Sequence, residues 1–324
     1  GGRLDESRVN PEAMLGVYVH PLEPMWYETY EADTSVPLEQ TFDKISFRDA
    51  YDPAHAYLLL DGLSRGYHGH WDGNSILRCT DNGRMWLCES DYLKGDPKDH
   101  ITVTPIRNGE SARPTMASSL EGSLESPKWG STITRTPGYA GLDWDRHIIW
   151  HRASDTFFVI DDATALEAGT YDLKARFRSL GQTSLDGRTW HVEHSGSEHF
   201  HMHLPGGGRL MESSAPEEAK NWTSYEFSED PTPKLLSHQR VKELAVGEKT
   251  TLTACFYADN AAHPRLEVRA MGEQAIAANG PLQVIAGVGG LVPLGIDTDA
   301  RQFVFGPEDL MLVQATRLQA GMVA

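Results

Sequence analysis

Strict alternation of apolar and charged side chains marks the stretch Tyr171-Asp172-Leu173-Lys174-Ala175-Arg176-Phe177-Arg178. Successive side chains of a β-strand point to opposite faces of its sheet, so this period of two predicts a strand with one buried face. Residues 42–48 alternate in the same way, and residues 56–60 form a short apolar run that predicts a strand buried on both faces. A helix would instead space its apolar residues three or four positions apart.

Strand-like segments continue on both sides of this stretch. Residues 147–150 and 156–160 flank a polar turn at 153–155, which predicts a hairpin. Further short strands are predicted at 189–192, 199–204, 252–257, 266–270, 282–288 and 303–305. We therefore predict an all-β fold, a large antiparallel two-sheet β-sandwich over residues 41–324, preceded by an irregular lead-in over residues 1–40. Residues 108–130 are rich in Ser, Pro and Gly and predict a long loop.

Composition excludes several classes of protein. The chain has 324 residues, 40% of them hydrophobic, and a formal net charge of −17. The apolar content is too high for a disordered chain. Its longest apolar runs are far shorter than the ~20 residues of a membrane-spanning helix, so we expect no membrane span. The acidic surplus argues against nucleic acid as a partner, because phosphate backbones are bound by basic surfaces.

The cysteines and the first residues bear on the compartment. Cys79, Cys88 and Cys255 cannot all pair within one chain, and buried thiols are the favoured prediction. A Cys79–Cys88 bridge stays open if adjacent strands carry the two residues. The chain begins Gly1-Gly2-Arg3 without a signal-peptide pattern, and we expect a processed or excised product.

The stretch 66–75, Gly-Tyr-His-Gly-His-Trp-Asp-Gly-Asn-Ser, carries the strongest chemical signal. His68, His70, Asp72 and Asn74 lie two apart, so an extended backbone would present them on one face. Two imidazoles and a carboxylate suit Zn²⁺, and they also suit proton transfer near neutral pH. Carboxylates at Glu89 and Asp91 and a further histidine, His100, follow along the chain. A polar strand end with hydrogen-bonded histidines is the alternative.

These segments together resemble the C-terminal β-sandwich of heparinase II/III-like polysaccharide lyases, a group related to alginate and oligoalginate lyases. The resemblance rests on Tyr57-Leu58-Leu59-Leu60-Asp61-Gly62, on His68-Gly69-His70-Trp71-Asp72-Gly73-Asn74-Ser75, on Gly83-Arg84-Met85-Trp86-Leu87-Cys88-Glu89 and on Asp99-His100. It implies cleavage of a uronic-acid-containing glycan by β-elimination, in which a base removes the proton α to the carboxyl group and an acid protonates the leaving oxygen.

The resemblance also implies roles for particular residues. His68 takes the position of a catalytic residue at the substrate cleft, with Tyr67, Trp71 and Asn74 beside it as substrate-binding candidates. His70, Glu89 and His100 take the positions of the ligands of a largely structural divalent metal, generally zinc. Glu89 stands where the family has Asp, and Asp91 is an alternative ligand.

The same resemblance implies a partner and a location. The α/α toroid that forms the helical half of such lyases has no counterpart here, so we expect a toroid domain or chain as partner and an isolated chain with little activity. The implied substrate is an anionic polysaccharide or oligosaccharide, and the implied location is secreted or periplasmic. A non-catalytic carbohydrate-binding or structural β-sandwich is the alternative function, and a cupin-like metalloenzyme is disfavoured because no Glu follows the second His at the needed spacing.

Other residues carry weaker expectations. His199, His201 and His203 share one face of a predicted strand, as a second metal patch or, favoured, as a packed polar face. Arg176 and Arg178 are expected on a solvated strand face. The set Trp71, Trp129, Trp144 and Trp222 could stack on sugars, although core positions are favoured, and Tyr225 with Trp222 could reach the cleft.

Overall fold

The computed structural model describes residues 14–30, 35–64, 69–90, 94–195, 198–259, 265–292 and 296–320. One α-helix is described, α1 (Pro24–Tyr30), together with short 3-10 turns at Leu38–Gln40, Pro97–Asp99, Arg152–Ser154 and Pro216–Asn221. The strands are β1 (Gly16–His20), β2 (Lys44–Arg48), β3 (Tyr57–Asp61), β4 (Ile76–Asp81), β5 (Arg84–Cys88), β6 (Val103–Arg107), β7 (Glu110–Ser111), β8 (Ser119–Glu125), β9 (Trp129–Tyr139), β10 (Leu142–His151), β11 (Thr156–Ala165), β12 (Gly169–Ser179), β13 (Gln182–Asp186), β14 (Thr189–His194), β15 (Glu198–His203), β16 (Arg209–Ser214), β17 (Lys234–Leu244), β18 (Lys249–Asp259), β19 (Glu267–Ala270), β20 (Ala275–Asn279), β21 (Val284–Gly287), β22 (Gly290–Val292), β23 (Ile296–Thr298), β24 (Gln302–Phe305), β25 (Leu310–Val313) and β26 (Leu318–Ala320).

An eight-stranded sheet in the order β13-β14-β15-β18-β11-β10-β9-β8 forms the centre of the fold. Three five-stranded sheets accompany it, in the orders β1-β2-β3-β4-β5, β16-β17-β12-β6-β7 and β19-β20-β21-β24-β25, and a small sheet has the order β22-β23-β26. The strand pairs described are antiparallel throughout, as in the predicted hairpin, where β10 pairs with β11 from Leu142↔Ala165 to His151↔Thr156.

Both faces of the central sheet are apolar, which explains its position. Ile148 and Trp150 of β10 point into a core shared with sheets β1–β5 and β16-β17-β12-β6-β7. The intervening Ile149 points the other way, into a second core that includes Ile276 and Val304 of the β19–β25 sheet. The period-two side-chain pattern of each long strand thus supplies two cores at once.

The predicted all-β antiparallel sandwich is confirmed, with its strands divided among five sheets where the sequence predicted two. A sequence gives the alternation of each strand but not the number of layers that cover it. The irregular segment predicted over residues 1–40 also differs from the structure. There, β1 pairs with β2 from Gly16↔Arg48 to His20↔Lys44, and α1 begins at Pro24, whose fixed φ suits a first helical turn.

The long loop predicted over residues 108–130 is a second correction. It contains β7 and β8, and β8 pairs with β9 through a register shift between Leu120 and Gly122. Seven residues, 112–118, separate the two strands. The Ser and Gly residues that indicated a loop instead line an edge strand with an irregular register.

The structure also tests the expectations for Arg178, for the cysteines and for a membrane span. Arg178 is not solvated, because its side chain is 2% exposed and its Nη2 donates to Glu218 Oε2 at 2.5 Å. Cys79, Cys88 and Cys255 are buried free thiols, as favoured, and burial raises the pKa of Cys88 to about 12. Within the described ranges, no helix is both long and apolar enough to cross a membrane.

Candidate metal centre

Two connecting segments meet at one end of the β1–β5 sheet. Residues 62–75 follow β3, and residues 89–102 follow β5. Because β3 and β5 are both antiparallel neighbours of β4, their carboxyl ends lie at the same edge of the sheet. A hydrogen bond from Ile76 N to Ile101 O, 3.0 Å long, joins the two segments where they enter β4 and approach β6.

His70, Asp72 and His100 converge where these segments meet, and we call these three residues the loop centre. Each offers a ligand atom, and the three atoms all lie within 4.8 Å of one another. The ring centroids of His70 and His100 are 5.6 Å apart. Among the described residues no other group of three His, Cys, Asp or Glu side chains is this close. Two imidazoles and one carboxylate form a donor set that Zn²⁺ accepts, with room for a fourth ligand.

Glu89 is hydrogen-bonded to the His100 ring. Its Oε1 accepts a hydrogen bond of 3.1 Å from His100 Nδ1 and one of 2.7 Å from Ser90 N. A proton on Nδ1 leaves His100 Nε2 as the atom with a free lone pair. That Nε2 is buried and has no hydrogen-bond partner in the described part of the chain. An orphaned imidazole nitrogen whose opposite nitrogen is fixed by a carboxylate is the arrangement of a metal-bound histidine, so the residues fit a metal.

Negative charge is in excess around the loop centre. Burial, followed by repulsion from Asp61 and Glu89, raises the pKa of Asp72 to about 7, against an opposing effect of His100. Burial acts to lower the pKa of His100, but the Glu89 hydrogen bond and the charges of Asp72 and Asp99 outweigh it and raise that pKa. Both directions show that the site favours additional positive charge, which a divalent cation supplies.

A buried arginine from the central sheet anchors both segments. Arg146 of β10 is fully buried, and its Nη1 donates to Asn74 O at 2.6 Å and to Ile101 O at 3.2 Å. Asp161, its cross-strand partner on β11, accepts from Arg146 Nε at 2.8 Å and from Nη2 at 3.2 Å. Sequence reasoning missed this pair. The available signal was a charge of each sign directly beside the strands predicted at 147–150 and 156–160, at the ends remote from the hairpin turn.

Asn74 is enclosed in the turn that follows Asp72. It is fully buried, and its Oδ1 accepts a 2.6 Å hydrogen bond from Thr134 Oγ1. Its φ of 64° lies in the left-handed region, which Asn tolerates better than most residues. The structure therefore gives this substrate-binding candidate contacts that shape the turn between Asp72 and β4.

Trp71 lies in the chain between two loop-centre residues, His70 and Asp72. The guanidinium of Arg113, an exposed residue between β7 and β8, lies 4.9 Å from the centroid of the Trp71 ring. This cation–π contact brings a positive charge beside the loop centre, and sequence reasoning did not find it. His68, Tyr67 and Asp91, the remaining site candidates, lie outside the described residues.

The other predicted aromatic contributors are in the core or pack against β5. Trp129 and Trp144 are 4% and 1% exposed, so they belong to the core, as favoured. Trp222 and Tyr225 pack against Met85 and Cys88 at the β5 strand. The Tyr225 hydroxyl accepts a 2.9 Å hydrogen bond from Met85 N, which fixes its segment to the β1–β5 sheet.

Comparison with known proteins gives a fold likeness and no sequence family. No protein-family model matches the chain, and no curated protein matches it. Among solved structures, the chain is similar to heparan sulfate lyase HepC from Pedobacter heparinus, with a TM-score of 0.59 and 13% identity over 89% of this chain and 46% of that one. It is also similar to a heparinase III, with a TM-score of 0.54 and 12% identity over 85% of this chain and 41% of that one.

These likenesses define the class of fold. The sandwich is a heparin-lyase-like β-sandwich, and the chain spans less than half the length of these two lyase structures. At identities of 12–13% they establish the fold alone.

Proposed function

We propose that the chain is the β-sandwich part of a polysaccharide lyase that cleaves a uronic-acid-containing glycan by β-elimination. The observation that carries the proposal is the loop centre itself, because His70, Asp72 and His100 converge at a sheet edge of a heparin-lyase-like sandwich. The solved structures of this fold include a heparan sulfate lyase and a heparinase III, and each is more than twice as long as the part that this chain covers. We propose a secreted or periplasmic location on the same basis.

The proposed metal is zinc, with a structural role. His70, Asp72 and His100 would hold it, and Glu89 would orient His100 through Nδ1. This set differs from the predicted His70, Glu89 and His100 in the place of the carboxylate. Zinc bound there supplies positive charge and links the segments after β3 and β5. The chemistry on the substrate then falls to side chains beside it.

His68 is the proposed catalytic residue of this chain. It lies two residues before His70, so a metal that fixes His70 also restricts where His68 can be. In β-elimination, a base takes the proton α to the uronate carboxyl group, and that proton becomes acidic enough only when the carboxylate charge is neutralised. His68 would act on or near this proton, and a partner toroid would supply the acid for the leaving oxygen.

Arg113 and Trp71 are proposed to bind the uronate. A chain with a net charge of −17 repels an anionic glycan at long range, so attraction must come from a local cation. The Arg113 guanidinium is exposed and held over the Trp71 ring, which leaves its outer edge open to a carboxylate. The Trp71 ring adds an apolar surface on which a sugar can pack.

The test is formation of the unsaturated uronate product, followed by its absorbance, with alginate, ulvan and heparan-type polymers as substrates. We expect little turnover by the isolated chain and turnover once a helical toroid partner is supplied. His68→Ala should abolish that turnover without loss of folding or zinc, and His55→Ala, at a half-exposed histidine between β2 and β3, is the matched control. Robust turnover by the isolated chain would show that no partner is needed.

Glycan binding without turnover, even with the partner present, would instead support the non-catalytic alternative. In that case the loop centre would serve only to hold the fold.

A further inference from the structure

A second group of histidines lies on β14 and β15, remote in sequence from the loop centre. His191 of β14 pairs directly with His201 of β15, and His199 lies two residues before His201 on the same face. We call His191, His199 and His201 the histidine face. The opposite face of these two strands carries Trp190, Val192, Phe200 and Met202 into the core, so strand alternation fixes the histidines on the other side.

The imidazoles of the histidine face approach closely. His191 Nδ1 and His201 Nδ1 are 2.8 Å apart, and the two ring centroids are 5.0 Å apart. The His199 and His201 rings are 6.5 Å apart. The three line a cavity of about 340 Å³ together with Gln182, Thr183, Ser184, Glu193 and Arg265.

Asp259 fixes the orientation of the central ring. His201 Nε2 lies 3.3 Å from Asp259 Oδ2, and the His201 side chain is 2% exposed while that of Asp259 is 21% exposed. A carboxylate accepts a hydrogen bond from Nε2–H, so the Nδ1 of a neutral His201 carries the lone pair. That lone pair points at His191 Nδ1. A carboxylate behind one nitrogen and a lone pair on the other, here shared with a second imidazole, also occurs in metal-binding histidines.

The charge state of the rings suits a ligand. Burial lowers the pKa of His201 to about 4, and burial followed by the charge of Arg265 lowers the pKa of His191. Both shifts favour the neutral imidazole, which is the form that offers a lone pair to a metal. In the absence of metal, His191 Nδ1–H donates to His201 Nδ1. If the His191 proton moves to Nε2, both Nδ1 lone pairs face one point without any change in net charge.

We propose that His191 and His201 bind one divalent transition-metal ion, with Zn²⁺ as the probe, at the mouth of this cavity. Two nitrogens at about 2.0–2.1 Å from one zinc ion in tetrahedral geometry are separated by somewhat more than the observed 2.8 Å, so a small rotation of each ring admits the ion. Asp259 is a positioning residue. Water, Glu193 or, after rotation of its side chain, His199 would complete the coordination from the cavity lining. The site requires neither the loop centre nor lyase activity.

Arg265 is the one described cation that lines this cavity. Its Nε lies 3.5 Å from Asp259 Oδ2, and its side chain is 68% exposed. Its charge opposes that of a bound metal, but solvent screens so exposed a group. Removal of this charge by Arg265→Gln should tighten metal binding several-fold.

The test is zinc binding by chelator-stripped chain, with stoichiometry from calorimetric titration. The chain should bind one equivalent more than the His191→Gln variant, and Asp259→Asn should weaken that equivalent about 10- to 100-fold. His203→Gln is the matched control. His203 lies on the same strand face, but its Nδ1 is 3.0 Å from Thr189 Oγ1 and its Nε2 is 3.4 Å from the Tyr257 hydroxyl. It should keep the full stoichiometry.

Equal stoichiometry and affinity in the unaltered chain and in His191→Gln would overturn the proposal. If a variant fails to fold, nuclear magnetic resonance of the unaltered chain provides a second test. Imidazole nitrogen resonances of His191 and His201 should shift on zinc addition, and unchanged resonances at saturating zinc would equally overturn it. Neither result depends on whether His70→Ala loses zinc, so failure here is distinct from failure of the proposed function.

Discussion

The loop centre and the histidine face use the same residue types in different ways. In the loop centre, ligands from residues 70–100 meet because Arg146, on another sheet, holds both of their segments. In the histidine face, the register of β14 against β15 places His191 opposite His201 without any loop. Two loops held by a side chain of another sheet can bring their ligands together around one position. A strand pair instead places its side chains along one face at the spacing of the strand.

The two regions also differ in whether their ring nitrogens have hydrogen-bond partners without metal. His100 Nε2 and Glu89 Oε2 are buried without a hydrogen-bond partner among the described residues, and carboxylates surround them. His201, by contrast, has a partner within reach of each ring nitrogen, His191 and Asp259. Metal should therefore stabilise the fold through the loop centre, while the histidine face should bind metal with little effect on folding.

The largest expected effect follows Arg146→Met. The change leaves Asp161 buried without its partner and releases Asn74 O and Ile101 O, so it should destabilise the chain by about 3–5 kcal/mol. It should also abolish zinc binding at the loop centre and leave the histidine face intact. Urea unfolding and zinc titration measure these effects. Arg317→Met is the control, because it removes an exposed ion pair with Asp297 and should cost less than about 1 kcal/mol.

Removal of metal by a chelator should have the next largest effect. An ion that binds only the folded state at a hundred times its dissociation constant stabilises that state by about 2.7 kcal/mol. A chelator should therefore lower the melting temperature of the chain and of His191→Gln alike. It should leave His70→Ala unchanged, and a fall of similar size in that variant would place the stabilising metal elsewhere.

His147 is a buried histidine outside the two regions, so it shows the effect of burial on a histidine that is not a proposed metal ligand. Burial lowers the pKa of His147 to about 3, with Asp145 opposing and Arg301, Lys249 and Arg135 reinforcing the shift. The unfolded chain binds this proton below pH 6.5 and the folded chain does not, so His147 contributes stability above pH 6.5 that is lost toward the folded pKa.

Acidification should therefore weaken the unaltered chain relative to His147→Gln. Below pH 6.5 the difference should grow by up to about 1.4 kcal/mol per pH unit, the value of one proton. Urea unfolding of both proteins at pH 7, 6 and 5 measures it. Parallel stability curves would show that His147 takes up its proton in the folded state.

The smallest structural effect is expected for Arg113→Ala. The Arg113 side chain is exposed and contacts the Trp71 ring, so the melting temperature and zinc content should not change. With the toroid partner present, KM for the anionic glycan should rise while kcat changes less, because a binding contact is lost. A fall in kcat alone would remove Arg113 from uronate binding.

The sequence predicted the strands well, because apolar alternation depends only on neighbours along the chain. Residues 171–178 and the hairpin of β10 and β11 are examples. It also predicted that His70 and His100 belong to the same site. It did not predict β1 or β8. The partner of β1 is β2, more than twenty residues further along the chain, and β8 pairs with the adjacent β9 through an irregular register that hides the alternation.

The arrangement of the carboxylates also lay beyond the sequence. Glu89 and Asp72 are both near His100, and only the fold of two loops determines that Glu89 bonds its Nδ1 while Asp72 joins His70 and His100 in the loop centre. The same limit applies to His191. The shared face of His199 and His201 follows from their spacing, but the opposing His191 follows from the register between two strands.

Zinc content is the most direct test of the loop centre. It is measured by elemental analysis of the purified chain and of His70→Ala, each at known protein concentration. We predict that His70→Ala loses one equivalent of zinc and is less stable, while the His203→Gln control keeps its zinc. Full zinc occupancy retained in His70→Ala would contradict the assignment of His70, Asp72 and His100 as a metal centre.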